Sequence, residues 1–196
     1  MRHFTRLAAP PSLTEAAPDA TRSYMERKAT DLGASFFWPT RNGVSIYKAV
    51  RAAAGAQTDE HCSYCDGFPL NVTGRPELDH FKPRDAAPEL AYEWTNLYLC
   101  CSACNGEKLK RWDAALLRPD ASDYSFGAYF RFDTITGALA PHPGASQEDQ
   151  HRASRTIDLF GLNRDDLRWA RKDCPRSRRK YAHAEFAYRF LFLPPL

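Results

Sequence analysis

The sequence lacks long hydrophobic runs. No apolar segment approaches the roughly 20 residues that a membrane-spanning helix requires, and residues 1–13 lack the apolar core of a secretion signal. We therefore expect a cytoplasmic protein whose thiols stay reduced. Charged residues make up 26% of the chain and apolar residues 43%, which are ordinary values for a folded domain, so disorder is not expected.

The sequence also lacks a glycine-rich phosphate-binding loop, internal repeats and low-complexity tracts. Any dependence on ATP would therefore have to come from another protein. The net charge of +3 is too small to indicate a nucleic-acid partner by itself. Basic residues are concentrated near the end of the chain, in a run that fits a solvated helix face or, alternatively, a phosphate contact: Arg176, Arg178, Arg179 and Lys180.

Four of the six cysteines form two Cys-x-x-Cys pairs. A two-residue spacer lets a tight turn aim both sulfurs at one point, and four thiolates suit a tetrahedral zinc ion. Disulfides or ordinary buried thiols are the alternative, which reducing conditions disfavour. We predict that a structural zinc ion is bound by Cys62, Cys65, Cys101 and Cys104, and that Cys100 and Cys174 lie outside this site.

The segment between the cysteine pairs predicts two strands and a helix. Residues 77–81 read as a short strand that Pro83 ends, residues 94–99 as a second strand, and a helix begins near Ser102. This helix would carry Asn105, Lys108 and Trp112 along one face. Since consecutive strand residues face opposite sides, Asp79 and His80 can share a site only if the strand twists or breaks near Pro83.

These residues resemble the HNH endonucleases, which contain a ββα-metal finger. The resemblance rests on C-x-Y-C from Cys62, L-D-H-F-x-P from Leu78, W-x-N-L from Trp94 and C-x-x-C-N-x-x-K from Cys101, in the order of the family. The chain is more narrowly similar to the PtuB-like HNH nuclease subunits of Septu and retron anti-phage systems. Residues 153–163 of this chain resemble the tail of those subunits. The final histidine of the family name is Asn105 here.

The resemblance implies a phosphodiester hydrolase with His80 as general base, because an imidazole titrates near neutral pH. Asp79 and Asn105 would hold a catalytic Mg²⁺ or Mn²⁺ through hard oxygen ligands. Asn96 would orient His80 or brace the loop beside it. The residues expected to contact substrate phosphates are Lys108, Lys110 and Arg111, for which an exposed helix face is the alternative explanation.

The resemblance also implies that the protein is an effector of anti-phage defence and that a PtuA-like ATPase partner restrains its activity. DNA is the favoured substrate, and RNA is possible because such a finger would contact phosphates rather than bases. The alternative function is a non-catalytic zinc module that binds nucleic acid or protein. A stand-alone restriction or homing nuclease would need a sequence-reading domain, which neither flank provides.

We predict an α+β fold, with the zinc-clamped ββα finger embedded in a mostly helical domain. Residues 1–56 would form an N-terminal arm and helices, 57–118 the nuclease core with its zinc knuckles, and 119–196 a hairpin and helices that pack on the core. Pro18 is expected to end a first helix, with a better helix over 20–32, and a last helix should run from Arg176 to about Phe192.

Overall fold

A computed structural model of the chain describes residues 1–41, 43–177 and 187–192. Within these residues no helix has the length and apolar character needed to cross a membrane. The elements in chain order are α1 (Pro11–Thr30), β1 (Thr40–Arg41), β2 (Val44–Ser45), α2 (Ile46–Thr58), α3 (Leu70–Thr73), β3 (Pro76–His80), β4 (Leu97–Cys101), α4 (Ser102–Lys108), α5 (Phe126–Tyr129), β5 (Phe130–Phe132), β6 (Leu139–Pro141), α6 (Gln147–Leu159) and α7 (Asp165–Ser177).

The centre of the molecule is a ββα unit made of β3, β4 and α4. The two strands pair antiparallel, with Asp79 opposite Tyr98 and His80 opposite Leu97. Every residue of β4 is buried, so this strand passes through the core. Helix α2 also packs against β4. The mixed α and β composition and the ββα finger confirm the predicted fold class.

The second strand and the helix of the finger differ in extent from the sequence-based prediction. Residues Trp94–Asn96 form a 3-10 turn, because the Glu93 side chain accepts the backbone N–H of Thr95 and starts a turn there. Strand β4 therefore begins at Leu97. The helix ends at Lys108, since Leu109 adopts a positive φ of 51°, and Trp112 does not continue its face.

The prediction that Pro18 ends the first helix is wrong. Helix α1 runs from Pro11 to Thr30 with Pro18 inside it. A proline in a helix interior costs about 3 kcal/mol or more, through a lost hydrogen bond and a clash with the preceding turn. In this chain α1 packs on α2 and on the 3-10 helix Pro88–Leu90, and it buries Leu13 and Tyr24. This tertiary packing outweighs the local preference.

The C-terminal part of the chain packs on the knuckle that carries Cys62 and Cys65. The rings of Tyr64 and Phe160 stack with centroids 3.8 Å apart. Arg189, which is 1% exposed, donates to Asp66 Oδ1 over 2.8 Å and to Asp59 Oδ2 over 2.6 Å. Arg189 lies 123 positions after Asp66, so the knuckle is supported from outside the finger.

The predicted last helix, 176–192, falls largely outside the described residues. Helix α7 is described as far as Ser177, and residues 189–192 form a 3-10 helix. The segment between them includes Arg178, Arg179 and Lys180, so most of the predicted basic run lies outside the part of the chain that the structure describes.

Candidate active site and zinc centre

The four predicted zinc ligands form one buried cluster. One sulfur from each of Cys62, Cys65, Cys101 and Cys104 lies within 4.8 Å of all the others. The Cys65 and Cys101 sulfurs are 3.9 Å apart. A tetrahedral ion with Zn–S bonds of about 2.3 Å requires sulfur separations of about 3.8 Å, so the cluster has the size of a zinc site.

The electrostatics of this cluster favour a bound cation. Burial raises the pKa of the Cys62 thiol, whereas hydrogen bonds from Cys104 and its neighbours lower the pKa of Cys101. The four thiols therefore compete for protons and cannot all ionise without a positive charge among them. Arg164 Nη1 lies 3.7 Å from the Cys104 sulfur and supplies part of that charge. The residues fit a structural zinc ion.

A second site lies beside the cluster, in a cavity of about 400 Å³ between β3 and α4. Asp79, His80 and Asn105 all line this cavity. Strand β3 ends at His80, so the chain leaves the strand geometry there, and both members of the Asp-His pair reach one space. The convergence that the sequence required is present.

His80 is buried and has a defined proton position. Its Nε2 lies 2.8 Å from the carbonyl oxygen of Ala91, which can only accept a hydrogen bond, so Nε2 carries the proton and Nδ1 the lone pair. The rings of Phe36 and Trp38 pack against the imidazole, with centroids 5.2 and 6.4 Å away. Burial lowers the pKa of His80 to about 4, so the ring is neutral at neutral pH.

The aromatic segment before β1 therefore supports the histidine. Phe36 and Trp38 are partly buried against the core, whereas Phe37 is 64% exposed. The Phe37 carbonyl accepts a hydrogen bond from the Tyr92 hydroxyl, which ties this segment to the loop that contains Ala91.

Asp79 is held by two donors from the segments that bear the zinc ligands. The Tyr64 hydroxyl donates to Oδ2 over 2.6 Å, and Lys108 Nζ donates to Oδ1 over 2.9 Å. Burial raises the pKa of Asp79, although both donors stabilise the carboxylate. Burial and the Asp79 charge also raise the pKa of Tyr64, which therefore stays a donor. The position of this carboxylate is fixed from both sides.

Asn105 lies on α4 and faces Glu77 of β3. Its Nδ2 donates to Glu77 Oε2 over 2.7 Å, and both residues line the cavity. Sequence reasoning overlooked Glu77. Strand alternation could have identified it, because residues 77 and 79 lie on the same face of a strand.

Asn96 braces a loop, and its side-chain hydrogen bonds go to Lys82 and Leu90 rather than to His80. Its Oδ1 accepts the Lys82 N–H over 2.8 Å, and its Nδ2 donates to the Lys82 and Leu90 carbonyls over 3.0 and 3.1 Å. These bonds fasten both ends of the loop after β3. Because Ala91 follows Leu90, Asn96 supports the loop whose Ala91 carbonyl bonds His80.

The three basic residues proposed to contact phosphates have different surroundings. Lys108 is 0% exposed and donates to Asp79 and to the His80 carbonyl. The prediction that Lys108 contacts a substrate phosphate is therefore corrected, because its ammonium forms an internal ion pair. Lys110 is exposed, lines the cavity and pairs with Asp85 over 2.5 Å. Arg111 is exposed and donates to the Glu107 carbonyl. Of these three residues, only Lys110 and Arg111 can reach a substrate in this structure.

Comparisons with known proteins agree with this geometry. A family model described as HNH endonuclease matches residues 62–111. The chain is 26% identical over 164 residues to the retron Vc95 putative HNH endonuclease of Vibrio cholerae serotype O1 biovar El Tor. The aligned region covers 79% of this chain and 77% of the relative. It is 31% identical over 70 residues to the Septu protein PtuB of Bacillus thuringiensis, covering 35% of this chain and 27% of that protein.

The matched residues coincide with the unit built above. They begin at Cys62, the first ligand of the sulfur cluster, and continue past Lys108, the last residue of α4. The span contains both cysteine pairs and all three residues that converge on the cavity. Residues 62–111 therefore form an HNH endonuclease domain within this chain.

Proposed function

We propose that this chain is a metal-dependent endonuclease that hydrolyses phosphodiester bonds of nucleic acid, with DNA as the favoured substrate. The observation that carries the proposal is that Asp79, His80 and Asn105 line one open cavity. These side chains supply a base and two oxygen donors within a single space. Phosphodiester hydrolysis requires both, since a water must be deprotonated while charge on the phosphate is neutralised.

His80 would act as the general base through Nδ1. Its Nε2 proton is committed to the Ala91 carbonyl, which leaves Nδ1 to accept a proton from water. With a pKa of about 4 the imidazole is unprotonated at neutral pH but weakly basic. A substrate phosphate beside the ring would raise this pKa, because a nearby negative charge favours the imidazolium form. Base strength would then increase when substrate binds.

Asp79 and Asn105 would hold the catalytic divalent cation, and their hard oxygens suit Mg²⁺ or Mn²⁺. Such an ion, when bound, neutralises phosphate charge and stabilises the leaving oxygen. Lys108 and Tyr64 would act as positioning residues for Asp79, as their hydrogen bonds fix both carboxylate oxygens. Each oxygen keeps a further lone pair, so these bonds leave room for a cation.

Lys110 and Arg111 would contact substrate phosphates at the mouth of the cavity. The side chain of Lys110 is 82% exposed, and its partner Asp85 has a pKa lowered to about 2 by Lys110 and Lys28. A phosphate could replace this carboxylate as the partner of the exposed ammonium. The contact would position nucleic acid without reading its sequence.

Zinc in the four-cysteine cluster would have a structural role. Its ligands, Cys62, Cys65, Cys101 and Cys104, leave no open coordination position for substrate. The cluster would hold the knuckle that carries Tyr64 against the start of α4, and thereby keep Asp79 and Asn105 in place. Folding of the finger would depend on it.

In the cell we propose a role in anti-phage defence together with an ATPase partner, PtuA-like, that restrains the nuclease. The similarity to the retron Vc95 protein extends over 79% of this chain, well beyond the HNH domain, which supports a shared role. The sequence contains no phosphate-binding glycine loop, so ATP hydrolysis would belong to the partner. Purified chain that cleaves at full rate whether or not the partner is present would contradict the restraint.

The decisive experiment measures nicking of plasmid DNA, and cleavage of total RNA, by the zinc-loaded chain with Mg²⁺ or Mn²⁺. We expect cleavage that chelation abolishes and that His80→Ala lowers at least about 100-fold, since general-base catalysis contributes about 10²–10⁴-fold. His151→Ala, at an exposed histidine outside the cavity, is the matched control. Zinc content must stay unchanged in both variants.

The alternative is a zinc module that binds nucleic acid or protein without catalysis. One observation favours it, namely that both oxygens of Asp79 already have donors. The same experiment decides between the two functions. Metal-independent binding of nucleic acid, with no cleavage by the parent chain and no difference in His80→Ala, would establish the binding module and exclude the nuclease.

A further inference from the structure

Glu77 is a carboxylate of the cavity to which the mechanism above gives no role. It lies on β3 two residues before Asp79, so alternation places both side chains on the face of the strand that meets α4. Its side chain is 23% exposed and has two partners. Oε1 accepts from Arg75 over 2.9 Å, and Oε2 accepts from Asn105 Nδ2 over 2.7 Å.

The Glu77 contact determines which end of the Asn105 amide faces it. An ionised carboxylate has no proton to donate, so its neighbour at 2.7 Å must be the NH₂ group. The reverse orientation would bring two oxygens to hydrogen-bond distance without a proton between them, which is repulsive. Glu77 therefore sets the side on which Oδ1 of Asn105 lies.

The orientation matters because only one end of an amide can bind a hard cation. Mg²⁺ and Mn²⁺ bind carbonyl oxygens, whereas an amide NH₂ has no lone pair available for them. We propose that Glu77 is a positioning residue that fixes the Asn105 amide, so that Oδ1 and not Nδ2 faces the catalytic cation. This inference rests on the proposed function, since it assumes that Asn105 is a ligand.

The contact could instead serve only to join α4 to β3. Both interpretations predict that loss of Glu77 lowers stability, so stability alone cannot separate them. The two interpretations predict different effects on cation affinity. An orienting residue affects cation binding only when the side chain at position 105 has two chemically different ends, as an amide does. A carboxylate ligand presents oxygen in either orientation and needs no such partner.

The experiment measures Mn²⁺ affinity of the zinc-loaded full chain by electron paramagnetic resonance, which needs no substrate. We expect Glu77→Gln to weaken Mn²⁺ binding about tenfold, in line with the effects of changing partners of metal ligands. A glutamine at this position can accept or donate, so the amide of Asn105 is no longer forced into one orientation. Glu107→Gln is the matched control. It also removes one negative charge, but from a residue of α4 that does not line the cavity.

The second part repeats the Glu77 substitution in an Asn105→Asp background. If Glu77 acts by orienting the amide, Glu77→Gln should weaken Mn²⁺ binding by less than about threefold there, against about tenfold in the parent. An equal loss in both backgrounds would overturn the proposal, because Glu77 would then act through its charge or as a direct ligand. No loss in the parent background would overturn it as well.

A spectroscopic measurement covers the case in which Asn105→Asp does not fold. With ¹⁵N-labelled asparagine, the Asn105 side-chain amide should show a proton protected from exchange in the parent and not in Glu77→Ala. An unprotected amide in the parent would contradict the contact and the proposal. Failure of the proposed function looks different, since the parent would then neither bind Mn²⁺ nor cleave, whatever residue stands at position 77.

Discussion

The two sites of the HNH finger differ in how their charges are compensated. In the sulfur cluster the four thiols are buried with Arg164 beside Cys104, so a bound cation would have to supply the rest of the compensating charge. In the cavity Asp79 is also buried but already has Lys108 and Tyr64 as partners. The first site would therefore need a bound ion to fold, whereas the carboxylate of the second is already held by protein donors.

This contrast suits the two proposed roles. A structural zinc site gains from tight binding and closed coordination. A catalytic site gains from ligands that are held in place yet bind the cation weakly until the phosphate contributes its own oxygens. The internal ammonium of Lys108 would lower the affinity of the empty cavity for a cation, because like charges repel.

The largest expected effect comes from breaking the sulfur cluster. Cys104→Ser should abolish zinc binding and unfold the finger, since structural zinc contributes its binding free energy to folding. Zinc content and circular dichroism would measure this. Cys174→Ser is the matched control, because Cys174 is also buried but lies outside the cluster, and its sulfur donates to the Ala187 carbonyl as a hydroxyl could. It should retain about one zinc ion per chain.

If Cys104→Ser kept both zinc and its folded spectrum, the sulfur cluster would not be the site on which the finger depends. The contrast between the two sites would then disappear.

An intermediate effect is expected from Lys108→Met, which leaves the Asp79 carboxylate buried without its counter-charge. Breaking a buried ion pair costs about 3–5 kcal/mol, so the free energy of unfolding in urea should fall by that order. Lys110→Met, at an exposed pair, should change it by less than about 1 kcal/mol. Zinc should remain bound in both variants.

A rescue sharpens this prediction. Adding Asp79→Asn to Lys108→Met removes the unpaired charge and should restore part of the lost stability, although not activity. Equal stability of the Lys108 and Lys110 single variants would contradict an internal role for Lys108.

The smallest effect is expected at the mouth of the cavity. In a His80→Ala background, which should bind substrate with little cleavage, Lys110→Gln should weaken duplex binding a few-fold and reduce the slope of log K against log salt by about 1. The measurement is a salt titration by fluorescence anisotropy. Lys172→Gln, at an exposed lysine on α7, should leave the slope unchanged. Identical slopes for both variants would remove Lys110 from the phosphate contacts.

The parts of the finger that sequence reasoning predicted depend on short-range spacing. The Cys-x-x-Cys pairs, the strand with Asp79 and the start of α4 are each specified within a few residues. The extent of α1 through Pro18 was not predictable in the same way, because packing on α2 and on residues 88–90 overrides a local helix breaker. Local rules fail where distant contacts contribute more free energy than the local preference.

Asp79 and Glu77 show the same difference between what local sequence specifies and what distant contacts decide. The Asp-His pair was identified because it lies between the two cysteine pairs, in the L-D-H-F-x-P segment that resembles the HNH endonucleases. Glu77 attracted no attention, since its meaning depends on Asn105, 28 positions away in the chain. Lys108 was expected to contact substrate phosphates, whereas the fold places it against Asp79.

By itself, the sequence determined which donor atoms this protein possesses and in what order: paired sulfurs, an Asp-His pair and a late asparagine. Only the tertiary structure decided what each donor meets, including the burial of Lys108, the two donors to Asp79 and the orientation of the Asn105 amide. The physical reason is that spacing constrains residues within one turn or strand. Burial and hydrogen-bond partners depend instead on surfaces that come together only when the whole chain packs.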